Sequence, residues 1–252
     1  MDGARPLPTA FARVLWIGGA TDAGKTSVAR MLAERHGWQA YHYDRHDRLE
    51  PPGHWARVDT VRHPRMHAAL GRSLEEGWVL TSPGEMVERW QETAAERFAM
   101  SLDDLRALPP GPPIVAEGYG FLPALVAPLL SSPRQAIWLV PSEQFKVAAF
   151  ERRVRSGDKG GAWARTSDPA RARANHVARD LLIGDLVRAQ ARALGLTVVE
   201  VDSRRSLEET ASLVDAQFAA HLSRPLAAAE TPDQRSGSRP EPDAPPGRVS
   251  QP

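Results

Sequence analysis

The chain predicts an α/β fold, a three-layer α/β/α arrangement around a five-stranded parallel sheet. Three observations carry that expectation. Short apolar runs alternate with longer segments of helical periodicity. The first run closes on a glycine-rich loop that opens a helix. The runs are also apolar at successive positions, as strands covered on both faces require.

In order, Val14, Leu15, Trp16 and Ile17 form the first run, closed by Gly18 and Gly19. Residues 25 to 36 then carry apolar and charged positions at helical spacing and stop at Gly37. Residues 38 to 43 read as a second strand, ending in Asp44. Residues 51 to 112 follow as an insertion, bounded by Pro51-Pro52-Gly53 and PPGPP, with helices expected at 62 to 76 and 83 to 107. Ile114, Val115 and Ala116 make a third strand ending in Glu117-Gly118, followed by a helix near 121 to 130. Residues 136 to 140 give the fourth strand. Helices at 142 to 155 and 170 to 194 flank a link rich in glycine and arginine. Residues 197 to 201 are the fifth strand and 206 to 222 a closing helix, so residues 1 to 222 form one domain. From Ser223 onward seven of thirty residues are proline and periodic apolar residues are absent. Such a tail is expected to be disordered, because it has no apolar surface whose burial offsets the entropy of ordering.

Composition narrows the function. Hydrophobic residues are 42% and charged residues 25% of 252, ordinary for a globular protein. No apolar run approaches the ~20 residues of a membrane span, and the N-terminus does not read as a secretory signal. A cytoplasmic protein is expected. A net charge of +1 makes no electrostatic case for nucleic acid or membrane. The absence of cysteine excludes disulfides, thiolate catalysis and cysteine-ligated zinc. Lysine occurs only at 25, 146 and 159, against 29 arginines. In a chain that writes its cations as arginine, Lys25 stands where a compact ammonium is needed.

That place is the loop GGATDAGKTS, residues 18 to 27. Gly19, Gly24, Lys25 and Thr26 fit G-x-x-x-x-G-K-[ST], with a strand before and a helix after. The chemistry is that of a phosphate cradle. Main-chain N–H groups of Gly19, Ala20, Thr21, Asp22, Ala23, Gly24, Lys25, Thr26 and Ser27 converge on the phosphates of ATP. The Lys25 ammonium reaches the β and γ oxygens, and the Thr26 hydroxyl binds Mg²⁺. Asp22 occupies a variable position, where an aspartate tolerates left-handed backbone and its side chain is expected to face solvent or a nearby arginine.

On these residues the sequence resembles the P-loop small-molecule and nucleotide kinases, the adenylate-kinase-like group, from about residue 11 to 222. IGGATDAGKTSVA looks like their first strand, loop and helix, and IVAEG like the strand ending in Glu-Gly of uridine kinases and phosphoribulokinases. RRVRSGD followed by SDPARARANHVARD is similar to their arginine-bearing lid, here 152 to 173. The resemblance implies strand order 2-3-1-4-5, with adenine held near the loop after strand five, where Asp202 and Ser203 fall. Asp44 sits where several members place an acid near the transferring phosphate. The family's acceptor-site signatures are not recognisable between 51 and 112, so the acceptor does not carry over.

Asp44 is therefore the candidate to orient an acceptor hydroxyl and take its proton, with Asp47 as its rival. Glu117 ends a strand read as buried, where an acid is costly unless paired or near a metal, and it is the second candidate metal ligand. Seven arginines lie between 152 and 179. Planar guanidiniums suit the spread charge of a transferring phosphoryl group. Arg152, Arg155 and Arg165 are the leading candidates and Arg179 the fourth. Arg153, one step from Arg152, is expected to point elsewhere, and Arg173 to pair with Asp168 or another acid. His63 and His67 do not form H-E-x-x-H. Trp55, Trp78 and Trp90 are read as packing residues, with stacking on a substrate ring as the alternative. The function expected is an ATP·Mg²⁺-dependent kinase acting on a small hydroxyl-bearing metabolite or nucleotide. A nucleotide-binding ATPase or regulator without an acceptor is the alternative. A guanine-reading GTPase is excluded, because the only asparagine, Asn175, is followed by histidine.

Overall fold

The computed structural model describes residues 11–49, 52–157 and 163–223. Residues 224–252 of the expected disordered tail, and 158–162 of the expected lid, lie outside the described residues. Five strands form one parallel sheet: β1 (Val14–Gly19), β2 (Gln39–His42), β3 (Ile114–Glu117), β4 (Ala136–Pro141) and β5 (Val198–Val201). Their order is β2-β3-β1-β4-β5.

Burial alternates between faces with the pleat. Trp16, Ile114, Ala116 and Trp138 meet Phe98, Phe121 and Ile183 on one side. Leu15, Ile17, Val115 and Leu139 meet Val28, Leu32 and Phe218 on the other. Both faces being covered explains why strands β1, β3 and β4 are buried along their whole length. The helices doing this are α1 (Lys25–His36) and α7 (Leu207–Leu222) on one face, and α3 (Pro83–Ala107) with α6 (Pro169–Ala193) on the other. Trp138 enters the core without penalty to its indole N–H, which donates to the Phe121 carbonyl at 2.8 Å.

The insertion is less helical than its periodicity predicts. The expected 62 to 76 helix is only α2 (Pro64–Ala69), because the chain turns extended at Leu70; a π-helical turn, Glu76–Leu80, follows. The helix expected at 121 to 130 is α4 (Pro123–Val126) and then a 3₁₀ turn, Ala127–Leu129. Pro128 lacks the N–H that α-helical continuation needs. A third small cluster of Val79, Phe150, Trp163 and Ala172 ties the insertion to α5 (Glu143–Arg155) and α6. Among the described residues no helix is long and apolar enough to cross a membrane.

Candidate active site

The loop sits where β1 leaves the sheet. Gly24 caps α1 at φ 79°, a left-handed conformation that strains any residue with a Cβ. No side chain caps α1 and no acid lies in its first turn, so its leading N–H groups are left for an anion. Residues Thr21 to Ser27 line a cleft of about 660 Å³. Gly19 and Ala20 lie outside its lining, and the Ala20 N–H donates to the Leu139 carbonyl at 3.1 Å. Lys25 is buried, and its Nζ donates to the Ala20 carbonyl at 2.6 Å. Burial lowers its pKa, while the carboxylates of Glu117, Asp44 and Asp22 pull the other way.

Glu117 closes β3 and is 2% exposed. Its Oε1 accepts from the Thr26 hydroxyl at 3.0 Å and lies 2.9 Å from His42 Nδ1. Its Oε2 is buried without a hydrogen-bond partner. A buried polar atom left so costs roughly 1–3 kcal/mol, which a cation would offset. Mg²⁺ takes few protein ligands and fills its shell with phosphate and water oxygens. The Thr26 hydroxyl and the free Glu117 oxygen fit that demand. Among the described residues no group of three His, Asp or Glu side chains forms a protein-only metal cage.

The two aspartates of the second strand's end have opposite environments. Asp44 falls in a helical turn beyond β2 and lines the same cleft as Lys25 and Thr26. It is reachable by solvent, yet the walls of the cleft surround it. This lost hydration, with Glu117 and Asp47 nearby, raises its pKa to about 6 against the pull of Lys25. Asp47 is 1% exposed, within a π-helical turn, Arg45–Leu49. Arg97 holds it bidentately, Nε to Oδ1 at 2.9 Å and Nη2 to Oδ2 at 2.7 Å. Burial would raise its pKa, but hydrogen bonds from His54 and Arg97 and the Arg97 charge bring it well below the ordinary value. Asp47 is thus held as an anion by Arg97, and Asp44 is the one of the two that lines the cleft. Tyr43 wedges this turn against β3. A Cβ at Gly118 would meet Tyr43 Cβ at 2.2 Å, and one at Gly120 would meet Tyr43 Cζ at 2.1 Å.

Asp22, expected to face solvent or a nearby arginine, meets an arginine and is shut off from solvent. It has φ 64° and a fully buried side chain whose Oδ2 accepts from Lys146 Nζ at 2.6 Å. Its Oδ1 accepts from Arg153 Nη1 at 2.7 Å, so Arg153, expected to point away, grips the loop. Lys146 also donates to Thr21 Oγ1 at 2.6 Å and to Asp180. Asp180 is bonded in turn by Thr21 and Arg179, and lies 3.2 Å from His176 Nε2. The acid in the loop therefore faces a buried ammonium beneath it, and its anion is turned from the space a phosphate would fill. Lys146 and Asp180 were not singled out in the sequence; the signal was a second lysine in a chain of arginines.

The other candidates are spread out. Arg152 and Arg153 line the phosphate cleft with Phe145, Val201, Arg205 and Leu207. Asp202 is outside that lining and accepts from the Arg204 N–H at 2.9 Å. Arg155 is exposed, 3.6 Å from Glu151, and lines an outer groove between α5 and α6. Arg173 lines that groove too, and Asp168 instead caps α6 by accepting from the Arg171 N–H. Arg165 is exposed on a short 3₁₀ turn, Trp163–Arg165, outside the lining of either cleft. A second cleft, about 340 Å³, lies among the insertion, Tyr119 and Arg179, and takes in Trp55, Trp78 and Trp90.

No protein-family model matches the chain, and no curated protein matches it. Among solved structures, it is similar to the shikimate kinase from Acinetobacter baumannii in complex with shikimate. That likeness has 15% identity and a TM-score of 0.40, over 86% of this chain and 98% of that one. It is also similar to the YorR protein of Bacillus subtilis in complex with phosphorylated GDP, at 14% identity and a TM-score of 0.35, over 83% and 96% of the two chains. These likenesses lie in the path of the chain, and nothing about the acceptor follows from them.

Proposed function

We propose that the protein is an ATP-dependent phosphotransferase, moving the γ-phosphoryl group of ATP·Mg²⁺ to a hydroxyl of a small molecule. The observation that carries this reading is one cleft lined by an uncapped helix start, Lys25, Thr26 and the raised carboxylate of Asp44. Glu117, outside that lining, accepts from the Thr26 hydroxyl and keeps one buried oxygen free. Loop N–H groups and Lys25 hold the polyphosphate, and Arg152 and Arg153 line the same cleft. Thr26 and Glu117 would hold Mg²⁺, which would neutralise charge that develops on the phosphate oxygens. Asp44 orients the acceptor hydroxyl and takes its proton as the new oxygen–phosphorus bond forms and the bond to the β-phosphate oxygen breaks. Phe145, Val201 and Leu207 offer an apolar slot for the base of the nucleotide. The insertion at 51 to 112 serves as the acceptor side and the 152 to 173 segment as the lid.

The alternative, a nucleotide-dependent regulator without an acceptor, leaves Asp44 and the second cleft without work. An ATP-consumption screen of the purified protein against nucleosides, nucleotides, sugars, hydroxy acids and hydroxylated antibiotics tests the choice. Turnover with an acceptor, lost in Lys25→Ala, is expected. ATP binding with no turnover across the panel would favour the regulator.

A further inference from the structure

We propose that the second cleft binds the acceptor, and that this acceptor carries both an anionic group and a flat, unsaturated ring. The inference rests on the phosphotransferase reading for the word acceptor, but its binding chemistry stands on the cleft alone. Five arginines line the space, at 48, 72, 89, 97 and 179, and no Asp or Glu does. Three of them already have carboxylate partners. Arg97 and Arg48 share Asp47, at 2.7 and 3.4 Å, and Arg179 is bonded to Asp180. Arg72 and Arg89 differ. Among the described residues neither has a carboxylate within 4.0 Å, and Arg89 donates only to the Thr81 hydroxyl, at 2.8 Å. Glu76 acts on both only at longer range. Two guanidiniums without a bonded carboxylate thus stand in a cleft of about 340 Å³ and suit a small anion, which they bind with paired, charge-assisted hydrogen bonds.

The ring requirement comes from the other walls. Trp55, Trp78, Trp90 and Tyr119 all line the cleft. Trp90 stacks on Tyr119 with centroids 5.5 Å apart and planes 20° from parallel. Arg179 lies 4.9 Å over Trp78, and Arg48 5.4 Å over Trp55. Backed in this way, the rings are flat and rigid, and flat rings select flat ligands. Trp90 also carries a buried indole N–H without a hydrogen-bond partner.

Two bridges join this cleft to the phosphate cleft. Arg97, on its wall, lies 5.4 Å over the ring of Tyr43, the neighbour of Asp44. Arg179 runs through Asp180 to Thr21 of the loop. A cationic acceptor such as an aminoglycoside would meet five guanidiniums and no acid. A neutral sugar would leave two charges and the aromatic walls unused.

The test is an equilibrium titration by tryptophan fluorescence and calorimetry, without ATP. Its probes are cytidine 5′-monophosphate, cytidine, glycerol 3-phosphate, 4-hydroxybenzoate and kanamycin. One of the two anionic ring compounds should bind about tenfold or more tightly than cytidine, glycerol 3-phosphate and kanamycin, and less tightly as salt is raised. Which of the two wins identifies the anion as phosphate or carboxylate. Arg72→Leu and Arg89→Leu should each weaken that binding about tenfold, while Arg62→Leu, an exposed partner of Asp103, should not. Arg72 is exposed, so its variant should fold, as far-ultraviolet circular dichroism would verify. The proposal is overturned if cytidine matches its monophosphate, if kanamycin binds best, if no probe binds, or if both leucine variants bind as the parent does. A protein that binds the anionic ring yet consumes no ATP with any acceptor sinks the phosphotransferase reading and leaves this one. Rapid turnover on a neutral acceptor does the reverse.

Discussion

The two clefts are made by opposite means. The loop cleft takes seven of its lining residues from one stretch, 21 to 27, which offers main-chain N–H groups and one ammonium. The second cleft is built from side chains drawn from positions 48 to 179. A main-chain site needs glycines at fixed places and tolerates varied side chains, so it leaves a readable motif. A side-chain site needs only that distant residues arrive together, and arginine and tryptophan reach it from any element. The first kind conserves a chemistry, the second selects a molecule.

Changes to each cleft test that contrast. Lys25→Ala removes the one side chain on which the main-chain cradle depends, and phosphoryl transfer should fall about 10³-fold with the fold intact. Activity near that of the parent would mean the loop is not the phosphate site. Lys146→Met touches no ligand but removes the buried ammonium shared by Asp22 and Asp180. These keep their arginines, Arg153 and Arg179, as bonded cations besides histidine, so the change should cost about 3 kcal/mol of stability in chemical denaturation. Adding Asp22→Asn should recover part of it. An unchanged midpoint in Lys146→Met would show that the buried network does not hold the loop. Asp44→Asn should reduce kcat about 10²-fold with ATP affinity preserved. In the parent, kcat/KM for the acceptor should fall below an apparent pKa of about 6, and this acid limb should vanish in the variant. Equal losses in ATP binding and turnover would argue against a base.

The smallest effect concerns stability. A carboxyl whose folded pKa is raised from 3.8 to about 6 weakens the fold wherever the unfolded chain would be ionised. That cost is absent below about pH 4, grows through the window to pH 6 and is complete above it. Asp44→Asn removes it. At pH 7 the variant should therefore be more stable by about 1 kcal/mol, a figure already reduced for solvent screening. The advantage should disappear near pH 4, and an equal gain at both pH values would detach it from Asp44 ionisation.

Much of the frame was legible in the sequence. Periodicity located all five strands, most plainly β1, β3 and β4, where burial on both faces forces continuous apolar runs. Pro128 and the extended turn at Leu70 shortened helices whose periodicity ran on past them. At the site, the loop residues were readable because their spacing is local. The partners of Asp22 were not, since Lys146 lies 124 positions away and only the packing of α5 brings it there. The opposite fates of Asp44 and Asp47 were equally hidden. Both looked like loop acids, and the difference is made by Arg97, 50 residues beyond Asp47.

Gly118 and Gly120 press β3's exit so close to Tyr43 that a single methyl at either would collide with it. The spacing between Glu117 and Asp44 is therefore mechanically locked, one unit rather than two adjustable parts. Arg72 and Trp78 of the second cleft can be exchanged without touching that contact, so its walls are free to change while the spacing of the two carboxylates holds.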